Sequence, residues 1–269
     1  MSITINNQTY QAIIFDVDDT LIDTSESYDE AIKRTVKNYT HFEINDTDIE
    51  LVRKAGIFYG VNNDWNVTRL LIDLINTFPK AKWELALKNQ ALAKIDASAQ
   101  PFIEMKNFFQ NIYLGQPHFN GQGLIDTAER QIYHEQFFPT LQSFGVKIAV
   151  VTSRPANEAL YSLQTVNGLV GQFIESKDFI ISVGSKNSQG QLIAEKPSPA
   201  PLLECVNRLP MKPSDCTYVG NSTSDYLAAR AAKIDFIQVG SSLIERDNEP
   251  TGFNYLKLDN VNEILTFSS

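Results

Sequence analysis

The chain has 269 residues, 43% hydrophobic and 20% charged, enough for one large domain or a core with a smaller companion. Its formal net charge of −9 argues against general binding to nucleic acid or to anionic membranes. No apolar run approaches the ~20 residues of a membrane span, MSITINNQTY has neither a basic leader nor an apolar segment, and Cys205 and Cys216 sit in no metal or redox motif. A cytoplasmic protein without a membrane partner is expected.

QAIIFDV (11–17) reads as a short buried strand that runs directly into three carboxylates, Asp16, Asp18 and Asp19. From Ser25 to about Tyr113 the texture is helical: SYDEAIKRTVKNY, DTDIELVRKAG, NVTRLLIDLINTF and KWELALKNQALAKI space their apolar residues at helical intervals, with Asp, Ser and Asn at starts. Pro101 is expected to divide the last of these helical stretches, and GQPHFNGQG (115–123) reads as a linker. A strand–helix rhythm then returns. VKIAVVTSR, DFIISVG, CTYVGNS and DFIQVG are predicted strands; ANEALYSLQTVNG, APLLECVNRL and SDYLAARAAK are predicted helices between them. Such alternation implies an α/β fold with a mostly parallel, Rossmann-like sheet covered by helices on both faces. Residues 1–22 and 123–269 are expected to form this core, interrupted by an all-helical insertion over 23–122.

Ligands of open parallel sheets bind outside the carboxyl ends of the strands. The predicted strand ends carry Asp16 and Asp18; Thr152 with Ser153 and Arg154; and Asn221 with Asp225, while Lys196 follows in AEKPSP. Neighbouring carboxylates are costly to bury. A divalent cation and a lysine would make the cluster tolerable, and Mg²⁺ favours such oxygen ligands.

On these residues the chain resembles the haloacid dehalogenase-like hydrolase superfamily, in its phosphatase branch with a helical cap after the first core strand (subfamily IA-like). Asp16, Asp18 and Thr20 match the family's Asp-x-Asp-x-Thr; Thr152 matches the Ser or Thr ending the next core strand; Lys196 in KPSPAPLL matches its lysine; GNSTSDYLAARAA resembles its Gly-Asp-x-x-x-Asp and alanine-rich helix. The resemblance implies a phosphatase for a small phosphorylated metabolite, monomeric or homodimeric, working through a phospho-aspartyl intermediate on Asp16. Asp18 would be the acid/base and Lys196 would neutralise phosphate. Thr152 would donate to a transferring oxygen, beside Ser153, with Arg154 either gripping phosphate or reaching solvent. Mg²⁺ would be held by the Asp16 side chain, the Asp18 carbonyl and position 221, with Asp225 one shell out. Position 221 is Asn where the family usually has Asp, which predicts a weaker metal site. A dehalogenase would lack the second aspartate, present here as Asp18. A phosphomutase using the same residues, or a non-catalytic phosphate-binding module degenerate at Asn221, are the alternatives.

Within the insertion, GVNNDWNVT (60–68) is polar and lies between predicted helices. Asn62, Asn63 and Asp64 are candidates for hydrogen bonds to the substrate's leaving group, with Trp65 as an apolar wall. The other reading is a helix cap by Asp64 or Asn66 with Trp65 packed inward.

Overall fold

The computed structural model describes residues 2–59, 63–244 and 249–267. In chain order, β1 (Ile3–Ile5) and β2 (Gln8–Tyr10) form an antiparallel hairpin, followed by β3 (Ala12–Phe15) and the short β4 (Ile22–Asp23). Five longer or shorter helices come next: α1 (Tyr28–Thr40), α2 (Asp46–Tyr59), α3 (Asp64–Thr77), α4 (Trp83–Lys88) and α5 (Gln100–Leu114). After the short α6 (Leu124–Thr127), β5 (Arg130–Gln131) pairs antiparallel with β4. The remainder is α7 (Phe137–Ser143), β6 (Lys147–Pro155), α8 (Ala156–Leu160), β7 (Ile180–Val183), α9 (Ala200–Arg208), β8 (Cys216–Gly220), α10 (Thr223–Ala232), β9 (Asp235–Val239) and β10 (Tyr255–Leu258). The chain divides into two compact units, residues 24–129 and residues 1–23 with 130–269.

The larger unit is built on a six-stranded sheet, order β10-β9-β8-β3-β6-β7, in which every pairing is parallel. The alternation of side chains along a strand divides its residues between two cores. Ile13 and Phe15, with Ile148, Val150, Val219 and Ile237, pack on one face against Phe137, Phe138 and Leu141 of α7. Ala12 and Ile14, with Ala149, Val151, Tyr218 and Phe236, pack on the other against α9 and α10 through Leu202, Cys205, Tyr226 and Ala229. Both faces are covered, so these strands read as continuous apolar runs rather than alternating ones. The chain steps outward from β3 to β6 and β7, then returns to β8 on the other side of β3. Right-handed crossovers make this reversal put α8 on one face and α9 and α10 on the other. The reversal opens a crevice at the carboxyl end of β3, where ligands of such sheets bind.

The helical unit follows from amphipathic spacing. Val67, Leu70, Leu71 and Leu74 of α3 and Phe102, Met105, Phe109 and Tyr113 of α5 are buried at helical intervals, and both helices pack against α1. Three expectations need correction. Pro101 does not divide a helix: it lies in the first turn of α5, where its missing N–H has no partner to lose. The helix predicted over 82–95 stops at Lys88, with Gln90 in the left-handed region (φ 51°). Residues 115–123 do not link the two units but turn the chain within the helical one. Gly123 permits this, since a Cβ there would stand 2.5 Å from the Tyr113 carbonyl oxygen. The unit is tied end to end: Glu129 Oε1 accepts from Tyr113 (2.8 Å) and Ser27 (3.3 Å), and Tyr113 stacks on Tyr28 at 4.6 Å.

Candidate active site

The parallel register sets the site. Phe15 pairs with Val150 on one side and Val219 on the other, so the residues that follow these three positions lie side by side at the carboxyl end of β3. The Asp16 N–H donates to the Val219 carbonyl at 2.8 Å, which anchors the first carboxylate beside β8. The chain then turns tightly: Val17 O accepts from Leu21 (2.9 Å) and Ile22 (3.0 Å), with Asp19 at φ 53°.

At the centre is a buried carboxylate–ammonium–carboxylate row. Lys196, in the loop between β7 and α9, places Nζ 2.9 Å from Asp16 Oδ1 and 2.6 Å from Asp225 Oδ1. Asp16, Lys196 and Asp225 are 6%, 4% and 0% exposed. With both carboxylates ionised the row carries a net charge of −1, which is costly at such depth. Asp16 shows the cost: burial, then the Asp225 charge, push its carboxyl up to about 7, against the opposing pull of Lys196. Lys196 stays above the ordinary lysine range, because Asp16 and Asp225 outweigh the burial that opposes its charge. Asp225 is likewise buried, yet it is held below the ordinary carboxylate value by Lys196, Ser222 and Tyr218.

Both oxygens of Asp225 are taken by the protein. Oδ1 receives Lys196 and lies 2.8 Å from the Tyr218 hydroxyl; Oδ2 accepts from Ser222 N (3.0 Å) and Ser222 Oγ (2.5 Å), in a capping box that starts α10. Tyr218 also accepts from Lys196 at 3.0 Å and lies 3.0 Å from the Val151 carbonyl, and burial keeps its hydroxyl protonated. Tyr218 and Ser222 were missed by the motif reading. A tyrosine in an otherwise apolar strand and the Ser-x-x-Asp spacing of 222–225 were the available signals.

On the other flank, Arg154 reaches across to Asp18: Nε and Nη2 each lie 2.6 Å from Asp18 Oδ1. The Arg154 side chain has no exposed surface, so the expectation that it reaches solvent gives way to this pairing. Thr152, 4% exposed, accepts the Arg154 N–H through Oγ1 at 3.1 Å, which leaves its own hydroxyl proton to be donated elsewhere. Ser153 is exposed. A small cavity beside Lys196 is lined by Thr152, Ser153, Ser182 and Ile193 among others.

Asn62 lies outside the described residues. Asn63 is the N-cap of α3, its side chain accepting from Asn66 N at 2.9 Å. Asp64 pairs with Arg53 at 2.8 Å, which also pairs with Asp29 at 2.6 Å, and Lys106 stands 3.6 Å above the Trp65 ring.

Among the described residues no three His, Cys, Asp or Glu side chains are grouped to hold a metal. The donors on offer are different. Asp16 Oδ1 is buried and meets Lys196 as an ion pair without an aligned hydrogen bond, and Asn221 follows Gly220 at the end of the neighbouring strand. A carboxylate short of positive charge and an amide-bearing residue at the neighbouring strand end offer the kind of oxygen donors that suit a hard cation.

The model of the haloacid dehalogenase-like hydrolase family matches residues 10–233. The chain belongs to that family. A phosphoglycolate phosphatase of Colwellia psychrerythraea is 25% identical over 232 residues, covering 86% of this chain and 84% of its own. Among solved structures, phosphatase Tt82 from Thermococcus thioreducens superposes with a TM-score of 0.58 at 23% identity, over 94% of this chain and 97% of that one. A Thermotoga maritima protein named as a β-phosphoglucomutase gives 0.53 at 22% identity, over 95% and 97%. At these identities the structures show a shared fold. Membership in the family agrees with the expectation built on Asp16, Asp18 and Thr20, and with an α/β core carrying a helical insertion.

Proposed function

We propose that this hydrolase is a Mg²⁺-dependent phosphatase for a small phosphorylated metabolite, with Asp16 as nucleophile. The observation that carries the reading is the buried Asp16–Lys196–Asp225 row at the carboxyl end of β3, whose uncompensated negative charge suits a cation and a phosphate held by that cation. The Colwellia relative, named as a phosphatase and matched over most of both chains, supports the choice.

In this reading an oxygen of Asp16 attacks phosphorus as the bond to the leaving oxygen breaks, and Asp18 gives that oxygen its proton. Water then attacks the phospho-aspartate, Asp18 takes the water's proton, and inorganic phosphate leaves with Asp16 regenerated. Lys196 balances anionic charge next to Asp16, and the free Thr152 proton is donated to a phosphoryl oxygen. Asp225, committed through both oxygens, acts by fixing Lys196 and the start of α10. A Mg²⁺ ion would be held by the Asp16 carboxylate, the Asp18 carbonyl and the Asn221 amide oxygen, and it would neutralise phosphoryl oxygens and favour ionised Asp16. Choice of leaving group is expected from the helical insertion, as the family resemblance implies.

The test is release of phosphate by the purified protein, with Mg²⁺, from a panel of small phosphate monoesters, with Asp16→Asn as the blank. Mg²⁺-dependent release at least ~100-fold above the blank is expected, because an amide cannot act as the nucleophile. No release above the blank from any ester would overturn the reading. Movement of phosphate between positions of one substrate, with little release, would replace it by a phosphomutase.

A further inference from the structure

Arg154 brings two nitrogens to one atom. Nε and Nη2 both approach Asp18 Oδ1 at 2.6 Å, from a side chain with no exposed surface, while the Asp18 side chain is 29% exposed. Oδ2 of Asp18 has no hydrogen-bond partner among the described residues. The two oxygens of this carboxylate are therefore unequal: one is pinned from the buried side, the other is open.

The surroundings show what the pin does. The Asp18 backbone is set by the turn that closes on Val17 O, but among the described residues no other side chain holds its carboxylate. Arg154 is itself fastened, its N–H on Thr152 Oγ1 and its backbone in β6, one strand over from β3. A planar guanidinium that gives two N–H groups to one oxygen restrains the rotation of that carboxylate as well as balancing its charge.

We propose that Arg154 is a positioning residue for the proton-transfer steps, holding Asp18 so that Oδ2 is the atom that exchanges protons. The inference rests on the phosphatase reading. In the first step the Oδ2 proton passes to the leaving oxygen as its bond to phosphorus breaks. In the second, Oδ2 takes a proton from the water whose oxygen bonds to phosphorus, and the bond to Asp16 breaks. Arg154 touches neither substrate nor phosphorus.

The experiment compares wild type, Arg154→Met, Arg154→Lys and Asp18→Asn on an alkyl phosphate found to be turned over and on p-nitrophenyl phosphate, whose leaving group needs no proton. With the alkyl ester, Arg154→Met should lower kcat ~10-fold or more with KM changed by less than ~3-fold, the pattern of a lost transition-state contribution. With p-nitrophenyl phosphate the first-turnover burst should keep its rate, while steady-state turnover falls because the second step still needs Asp18. In the Asp18→Asn background, Arg154→Met should cause no further loss in either rate. Arg154→Lys, which keeps the charge without the fork, should fall between wild type and Arg154→Met, and it serves for every comparison if the methionine variant does not fold.

A KM that rises on both esters with kcat retained would overturn the inference in favour of a phosphate contact. Equal losses in burst and steady state, additive with Asp18→Asn, would overturn it in favour of structural support alone. A wild type that releases phosphate from no ester would remove the phosphatase reading and this inference together, whereas the other two outcomes remove the inference and leave the phosphatase standing.

Discussion

Gly220 and Asp225 approach so closely that a Cβ at 220 would stand 2.7 Å from Asp225 Cγ and 2.9 Å from Oδ2. The Asp225 carboxylate cannot yield, because Ser222, Tyr218 and Lys196 hold it from three sides. Gly220→Ala should therefore displace Asp225 and, through it, Lys196. A loss of about 1–3 kcal/mol of stability is expected from overpacking, together with a ~10-fold or larger fall in kcat from the misplaced lysine. Thermal denaturation and steady-state kinetics read the two effects separately, and an unchanged Tm would show that the strand end can shift freely.

Asn221 leaves the proposed Mg²⁺ site with one formal ligand charge fewer than the family's usual aspartate. Asn221→Asp should lower the Mg²⁺ concentration for half-maximal activity ~10-fold, if the added charge is worth about 1.4 kcal/mol. Calorimetric titration of Mg²⁺ should show the same tightening without substrate. No shift in either measurement would place residue 221 away from the ion.

Asn63 and Asp64 hold α3, and their substitution should read as stability rather than specificity. Asn63→Ala removes the N-cap and should cost about 1 kcal/mol, seen as a lower Tm. Asp64→Ala breaks a partly exposed pair while Arg53 keeps Asp29, so about 0.5 kcal/mol or less is expected. A ~10-fold fall in kcat/KM with an unchanged Tm would instead assign these residues to substrate recognition.

Cys205 and Cys216 are both fully buried, and burial raises their thiols, Cys216 to about 12 with help from the Asp215 charge. Neither forms appreciable thiolate at pH 8 in the native protein. Iodoacetamide should leave both unmodified until denaturant is added, as read by intact mass.

The core strands were legible because they are buried on both faces: AIIF, IAVV, FIIS and TYVG are apolar runs too short for helices, bounded by turn formers. The helices between them were legible from their spacing. β10 was missed because YLKL, at a sheet edge, carries a lysine and only one fully buried residue. The hairpin of β1 and β2 was missed for a similar reason: three-residue strands have too few positions to show alternation. In KWELALKNQALAKI the apolar spacing outlasts the helix, since only Trp83, Ala86 and Leu87 find a packed surface.

Sequence alone determined which polar residues stand at the carboxyl ends of the core strands. Asp16, Asp18, Thr152, Lys196 and Asp225 stand at fixed offsets from strands that periodicity reveals, and parallel strands must present their carboxyl ends on one side. What only the tertiary structure decided is which charge faces which. Arg154 is two residues from Thr152 in the chain, and spacing cannot distinguish a guanidinium aimed at solvent, at phosphate or at Asp18. The pairing arises because β6 lies beside β3, a contact made across more than a hundred residues. The same holds for Tyr218: alternation turns its ring to the α9 and α10 face, but its hydroxyl meets Lys196 and Asp225 only because the loop after β7 brings Lys196 over β8. Local sequence sets side-chain direction along each element; burial of charge is resolved between elements, and only the packed sheet brings the partners within hydrogen-bond reach.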